Sequence, residues 1–182
     1  DERRGLALGL LGVAIFAVTT PMTRLAVGDA AAPQLSPLFV TAGRGAAAGL
    51  LSLAWLLATR APRPRRGQWR DIAITALGVV IGFPLGLALA LRDVPALHAA
   101  VVTGVLPLGT AVVGALLLRQ RASAAFWACA GSGCAVVLGY AAWQGGGRLV
   151  AADALLLMAV ASASLGYVVG ARLSATLTPE QV

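Results

Sequence analysis

The sequence predicts an all-α membrane protein, a polytopic helical bundle with six transmembrane helices in the residues given. Three observations predict it. Of 182 residues, 59% are hydrophobic and 12% charged, with mean hydropathy +0.85; a water-soluble domain needs far more charge to cover its surface. The apolar residues gather into six runs, each near the length of about 20 that crosses a hydrocarbon core. The arginines fall mainly in alternate breaks between runs. The runs are too long, and alternate too little, for the strands of a barrel.

The first run, residues 5–27, follows Asp-Glu-Arg-Arg and carries Thr19, Thr20 and Pro21 near its far end. It has no A-x-A-like cleavage site and reads as a retained helix rather than a signal peptide. The second, 37–58, begins at Leu35-Ser36-Pro37 and holds Arg44. A basic loop follows, with Arg60, Arg63, Arg65, Arg66 and Arg70. Its default role is to anchor topology, with contact to anionic lipid or nucleic acid as alternatives. The third run is 72–91, the fourth 96–118, the fifth 124–143 and the sixth 150–171. Cys129 and Cys134 share the fifth run, point in different directions on a helix, and read as small buried hydrophobes.

Every cation is an arginine. With the N-terminus inside, ten of the 14 lie in inside segments, three (Arg24, Arg92, Arg148) in outside segments, and Arg44 within a span. This bias sets a cytoplasmic N-terminus and explains the net charge of +7 without nucleic acid. The alanine-rich, lysine-free composition suggests a GC-rich bacterial gene and hence an inner-membrane location.

The fourth run organises the reading. Thr103, Pro107, Thr110 and Gly114 follow at helical spacing and stack on one face. In lipid such a face turns inward, where backbones approach or water enters. Small residues recur at four-residue spacing elsewhere: Gly45 and Gly49; Gly78, Gly82 and Gly86; Gly131, Ala135 and Gly139; Ser162, Gly166 and Gly170. Such faces let helices pack closely where no hydrophobic effect drives them together, and predict a tight bundle.

The sixth run repeats the first. Arg24-Leu25 and Arg172-Leu173 close the two runs, and Leu35-Ser36-Pro37 and Leu177-Thr178-Pro179 follow. A five-span repeat is odd-numbered, so its second copy enters the membrane upside down, as in many secondary transporters. Residues 5–143 are expected to form the first repeat and 150–182 the start of a second. That copy stops after one helix, so the expectation is a piece of a longer protein, with the missing repeat as a partner in the same chain or a companion fragment.

These features resemble the drug/metabolite transporter superfamily, and within it the EamA-type exporters. The resemblance rests on Thr20-Pro21-Met22-Thr23-Arg24-Leu25 closing the first span and Leu35-Ser36-Pro37 before a span with Arg44. It continues through the basic loop, Leu106-Pro107-Leu108 in the fourth span, Leu118-Arg119-Gln120-Arg121 at its end, Gly131-Ser132-Gly133, and the restart at the sixth. It covers residues 5–182. It implies ten helices in two inverted five-helix repeats and export of small metabolites or amino acids. Many relatives have Gly-Glu-Arg or Gly-Glu-Lys where this chain has Arg119-Gln120-Arg121, which leaves any role of that glutamate without a carrier here.

The expected substrate cavity is lined by Arg44, Phe83, Pro84, His98, Thr103, Pro107, Thr110, Ser162 and Tyr167. Arg44 either positions an anionic group or snorkels and locks packing. His98, the sole histidine, carries a proton or is an interfacial imidazole; it lies off the Thr103 face. Pro84 and Pro107 bend or hinge their helices, or only shape packing. Phe83 and Tyr167 wall the site or fill the core. Tyr140 and Trp143 read as interface-belt residues. All seven carboxylates fall at helix ends or in loops, so no buried carboxylate is expected to relay protons or bind a metal. With no HExxH, GxSxG or P-loop, an enzyme is disfavoured, and no cofactor or metal is implied. The reading is a small-molecule transporter exporting amino acids or related metabolites by alternating access. Alternatives are a drug or nucleotide-sugar carrier of the same architecture and a non-transporting scaffold.

Overall fold

The computed structural model describes residues 2–119, 122–144, 150–178 and 180–182, and among them the chain is helical apart from turns, loops and one isolated bridge between Gly28 and Pro33. Gln120, Arg121, Arg148 and Pro179 lie outside the described residues. Five helical stretches are long and apolar enough to cross a membrane: Gly5–Val27, Pro37–Ala58, Arg66–Ala90, Ala96–Leu117 and Ala151–Leu173. A sixth apolar helix, Ala124–Gln144, corresponds to the predicted fifth span.

The first span is two helices, α1 (Glu2–Ala17) and α2 (Thr19–Val27). They separate at Val18 because Pro21 has no N–H for the carbonyl of Ala17 and crowds it. At the end of α2, Gly28 has φ 68°, and a Cβ there would lie 2.2 Å from the Ala32 carbonyl oxygen. Only glycine fits that turn. The second span, α3 (Pro37–Ala58), starts where Ser36 Oγ accepts from the Phe39 N–H at 3.1 Å and proline takes the first helical position.

The third span is a composite: α4 (Trp69–Thr75), a π-helical segment (Ala76–Gly82) and α5 (Phe83–Ala90). Pro84 again explains it. Its missing N–H and its ring disrupt the bond to Val80, and the wider turn lets the Phe83 N–H reach the Gly78 carbonyl instead. The fourth span divides into α6 (Ala96–Thr103) and α7 (Leu106–Leu117) around Gly104 and Val105, three and two residues before Pro107. Pro107 supplies no N–H to the Thr103 carbonyl, and Val105 turns back to Val102 instead. The fifth helix is α8 (Ala124–Gln144) and the sixth span α9 (Ala151–Leu173).

The sixth span is the hub. It packs against all three segments of the third span and both halves of the fourth. Two glycine faces meet there: a Cβ at Gly78 would lie 2.5 Å from the Ser162 carbonyl oxygen, and one at Gly86 2.9 Å from the Ala159 side chain. Gly166 faces Val79 and Thr75, and Gly170 faces Thr75. Gly45 touches only Val80, and nothing lies within 4 Å of a Cβ at Gly49, Gly131 or Gly139. The packing expected through Gly49 is therefore absent, because α3 and α8 sit at the periphery of the described bundle. Arg24 reaches carbonyls at the end of the third span, so the first and third spans run parallel; α9 lies antiparallel to the third and so opposite to the first.

The apolar core gathers at the end of the bundle away from the basic loop. It joins Val27 of α2, Phe83, Leu87 and Leu91 of the third span, Ala99 and Val102 of α6, and Leu156 and Ala159 of α9. The outer faces of α1, α3 and α8 remain apolar and uncovered, an extent that suits lipid and not water.

Candidate functional site

The sequence-predicted cavity residues do not share any one of the three hollows formed by described residues. Phe83 and Pro84 are buried in the core, and the Phe83 ring stacks on Phe16 with centroids 6.2 Å apart. Ser162 packs into the third span and donates to the Gly78 carbonyl at 3.4 Å. Thr103 Oγ1 donates back to the Ala99 carbonyl at 2.8 Å, and Thr110 Oγ1 to Leu106 at 2.9 Å. Both hydroxyls thus satisfy their own helix. Because the helix breaks after Thr103, the predicted single face does not persist: Gly114 is buried while Pro107 is exposed. Tyr167 is half-buried beside the core. Near the end of α8, the Tyr140 and Trp143 rings meet edge to face at 6.4 Å.

Two predicted residues line hollows, and they line different ones. Pro107 borders a hollow of about 420 Å³ between the fourth span and α8, with Phe126, Cys129 and Cys134 opposite. Both cysteines are free thiols, and Cys129 is exposed rather than buried. Arg44 borders a hollow of about 370 Å³ between the first and second spans. Ile15, Val18, Thr19, Met22 and Thr23 form its other wall, at the level of the break that Pro21 makes. Arg44 lies seven residues into α3, about 10 Å along the helix axis. Its Nη1 is 3.5 Å from Thr23 Oγ1, and among the described residues no carboxylate lies within ion-pair distance of it. Thr23 itself is buried and donates to the Thr19 carbonyl at 2.7 Å. The guanidinium is therefore held beside an apolar hollow with donors left over.

All carboxylates fall at helix ends or in loops in the sequence, which predicts none buried. Asp153 overturns that. It sits in the first turn of α9, as expected of a helix-end acid, yet it is only 6% exposed. Its Oδ1 lies 2.6 Å from His98 Nε2, and its Oδ2 accepts from the Val150 N–H at 2.9 Å. An ionised carboxylate only accepts, so the imidazole is the donor. His98 thus faces α9, away from both hollows. Sequence position marked each residue, but nothing in a hydropathy profile pairs two residues 55 apart.

A second polar clamp holds the same end. Arg24 donates to the carbonyls of Leu91 and Val94 and pairs with Asp29 at 3.2 Å. In the sequence Arg24 stands as an outside charge and as part of the repeat and of the stretch that closes the first span, and its spacing carries no signal of this clamp.

Comparison with known proteins adds to the geometry. The EamA-like transporter family matches residues 3–142. The chain is 43% identical over 174 residues to an uncharacterized transporter, YdeK, of Bacillus subtilis (strain 168). That alignment takes in 96% of this chain and 59% of the relative, so the chain spans somewhat over half the relative's length. No solved structure matches.

Proposed function

The chain belongs to the EamA-like transporter family, and from that premise we propose that its protein exports small carboxylate-bearing metabolites, foremost amino acids, across the bacterial inner membrane. The observation that carries the reading is Arg44. An arginine inside a span is costly and stays where it faces a cavity or a partner. Here it borders a hollow of about 370 Å³, without a carboxylate partner among the described residues, beside the hydroxyl of Thr23. A guanidinium presents a planar fork of donors matched to a carboxylate, while Ile15, Val18 and Met22 offer apolar surface to a side chain.

Movement is proposed to follow alternating access, with two inverted repeats rocking about a midplane site. The helix breaks at Val18 and at Gly104–Val105, and the π-helical segment, give the first, fourth and third spans places to bend. The cytoplasmic N-terminus is proposed from the arginine bias.

The test uses inside-out vesicles carrying the full-length protein and a labelled panel of amino acids. Saturable uptake of one class is expected, with Arg44→Gln reducing it at least tenfold and Arg44→Lys restoring little, since an ammonium cannot reproduce the fork. Uptake unchanged in Arg44→Gln would remove the role given to Arg44. No uptake across the panel by correctly inserted protein would favour a drug or nucleotide-sugar carrier.

A further inference from the structure

The basic loop between the second and third spans is folded, not splayed. The Ala61 N–H bonds to the Leu56 carbonyl at 3.0 Å and closes α3. The Arg65 N–H then donates to Gln68 Oε1 at 2.7 Å, while the Gln68 N–H returns to the Arg65 carbonyl at 2.9 Å. The loop is also tied to the segment after the sixth span. Gln68 Nε2 donates to Thr176 Oγ1 at 2.9 Å, and Gln181 Nε2 to the Pro62 carbonyl at 2.6 Å. Those two bridges enclose a hollow of about 420 Å³ walled by Pro62, Arg63, Arg65, Gln68, Thr176 and Gln181.

The charge balance of this hollow is open. Asp71 is engaged by Arg172 at 3.7 Å. Among the described residues, neither Arg63 nor Arg65 has a carboxylate within ion-pair distance. Glu180 stands nearby in sequence to Gln181, fully exposed, its carboxyl held below the ordinary range by its own backbone N–H and then by Thr178. Topological anchoring requires arginines in the loop, but it does not require a hollow braced by two glutamine bridges. The level of the hollow is marked by Trp69, 55% exposed at the start of α4 and next to Gln68, and by exposed Trp55 near the end of α3. Exposed tryptophans at span ends sit at the headgroup level of a bilayer.

The geometry points to a phosphate-binding site in this hollow, occupied by the headgroup phosphate of an anionic phospholipid. Arg63 and Arg65 supply the charge-assisted donors, while Thr176, whose hydroxyl donates to the Leu173 carbonyl at 3.2 Å and accepts from Gln68, braces the wall. The volume lies in the range of small-molecule pockets, about 300–1,000 Å³. A soluble phosphate ester shares the chemistry, but the tryptophan level favours lipid. Because one wall follows the second span and the other follows the sixth, a bound headgroup fastens those two segments together.

The test is native mass spectrometry of the full-length protein in detergent, titrated with phosphatidylglycerol, phosphatidylcholine or inorganic phosphate. Phosphatidylglycerol is expected to be retained at least tenfold more tightly than phosphatidylcholine. The Arg63→Gln/Arg65→Gln variant should lose at least tenfold of that retention, while Arg60→Gln/Arg70→Gln, outside the walls, stays within twofold. Gln68→Ala, which removes a bridge but no charge, should weaken it about threefold or more. Equal losses in the two arginine variants would overturn the site in favour of diffuse attraction. Displacement of phosphatidylglycerol by stoichiometric inorganic phosphate would overturn the lipid as occupant.

Discussion

Removing the Asp153 carboxylate should loosen the contact between the fourth and sixth spans by a predictable amount. In Asp153→Ala the His98 ring and the Val150 N–H each lose a partner. A hydrogen bond to a charged group contributes about 1.5–3 kcal/mol in a folded protein. Inter-helix hydrogen bonds within a membrane average about 0.6 and reach about 1.7, because the inserted but unassembled helices find other partners. His98 and Asp153 lie at span ends, so the upper part of the membrane range applies, and their coupling is expected at about 1.5 kcal/mol. The loss of the first-turn acid of α9 adds about 0.3–1 kcal/mol, and the lost N-terminal acceptor about 1. Asp153→Ala should therefore cost about 3 kcal/mol in all. Asp153→Asn keeps one acceptor oxygen, enough for the Val150 N–H, and presents an amide N–H to His98 where the carboxylate accepted, so it should cost about 1–2. The measurement is equilibrium unfolding in mixed micelles, followed by tryptophan fluorescence, for His98→Ala, Asp153→Ala and the double variant. A coupling energy below about 0.5 kcal/mol would refute the reasoning, since the double-mutant cycle isolates that pair.

Two further predictions concern packing around α9. Gly78→Ala places a Cβ 2.5 Å from the Ser162 carbonyl oxygen and 3.0 Å from Gly166 Cα, both backbone atoms that cannot swing aside. It should cost about 2–3 kcal/mol, while Gly49→Ala, with nothing within 4 Å, stays within about 0.5, measured in the same unfolding assay. At Gly109 the obstacle is the Ser164 hydroxyl, 2.5 Å from an added Cβ, on a side chain that is 0% exposed and without a hydrogen-bond partner among the described residues. Ser164→Ala should be neutral or stabilising by up to about 1 kcal/mol, and should relieve much of the loss caused by Gly109→Ala; additive losses in thermal unfolding would contradict the contact.

The spans were legible because crossing a bilayer is a one-dimensional demand, a count of consecutive apolar residues. The three breaks were partly legible for the same local reason. Pro21, Pro84 and Pro107 each remove one N–H at a known offset. That Pro84 produces a π-helical turn while Pro107 splits its helix is decided by what surrounds them. The Gly78 carbonyl receives the Ser162 hydroxyl as well as the displaced N–H of Phe83. The candidate site was legible only in part. Arg44 stands out in any hydropathy profile, but Thr23 becomes its neighbour through the hairpin that Gly28 allows.

The sequence by itself determined what local chemistry can determine: helices, their lengths, their weak points, the small-residue faces and the bias of arginines between the two ends. Tertiary structure decided which face meets which. The third and sixth spans close on each other because both carry glycine along one side, whereas Gly49 and Gly131 meet nothing within 4 Å. It also decided which polar groups are spent and which remain free. Asp153 looked like a solvated helix end until His98 was brought to 2.6 Å from it. The reason is physical: in lipid every polar group must find a partner, and that partner is a neighbour in space, which spacing along the chain does not specify.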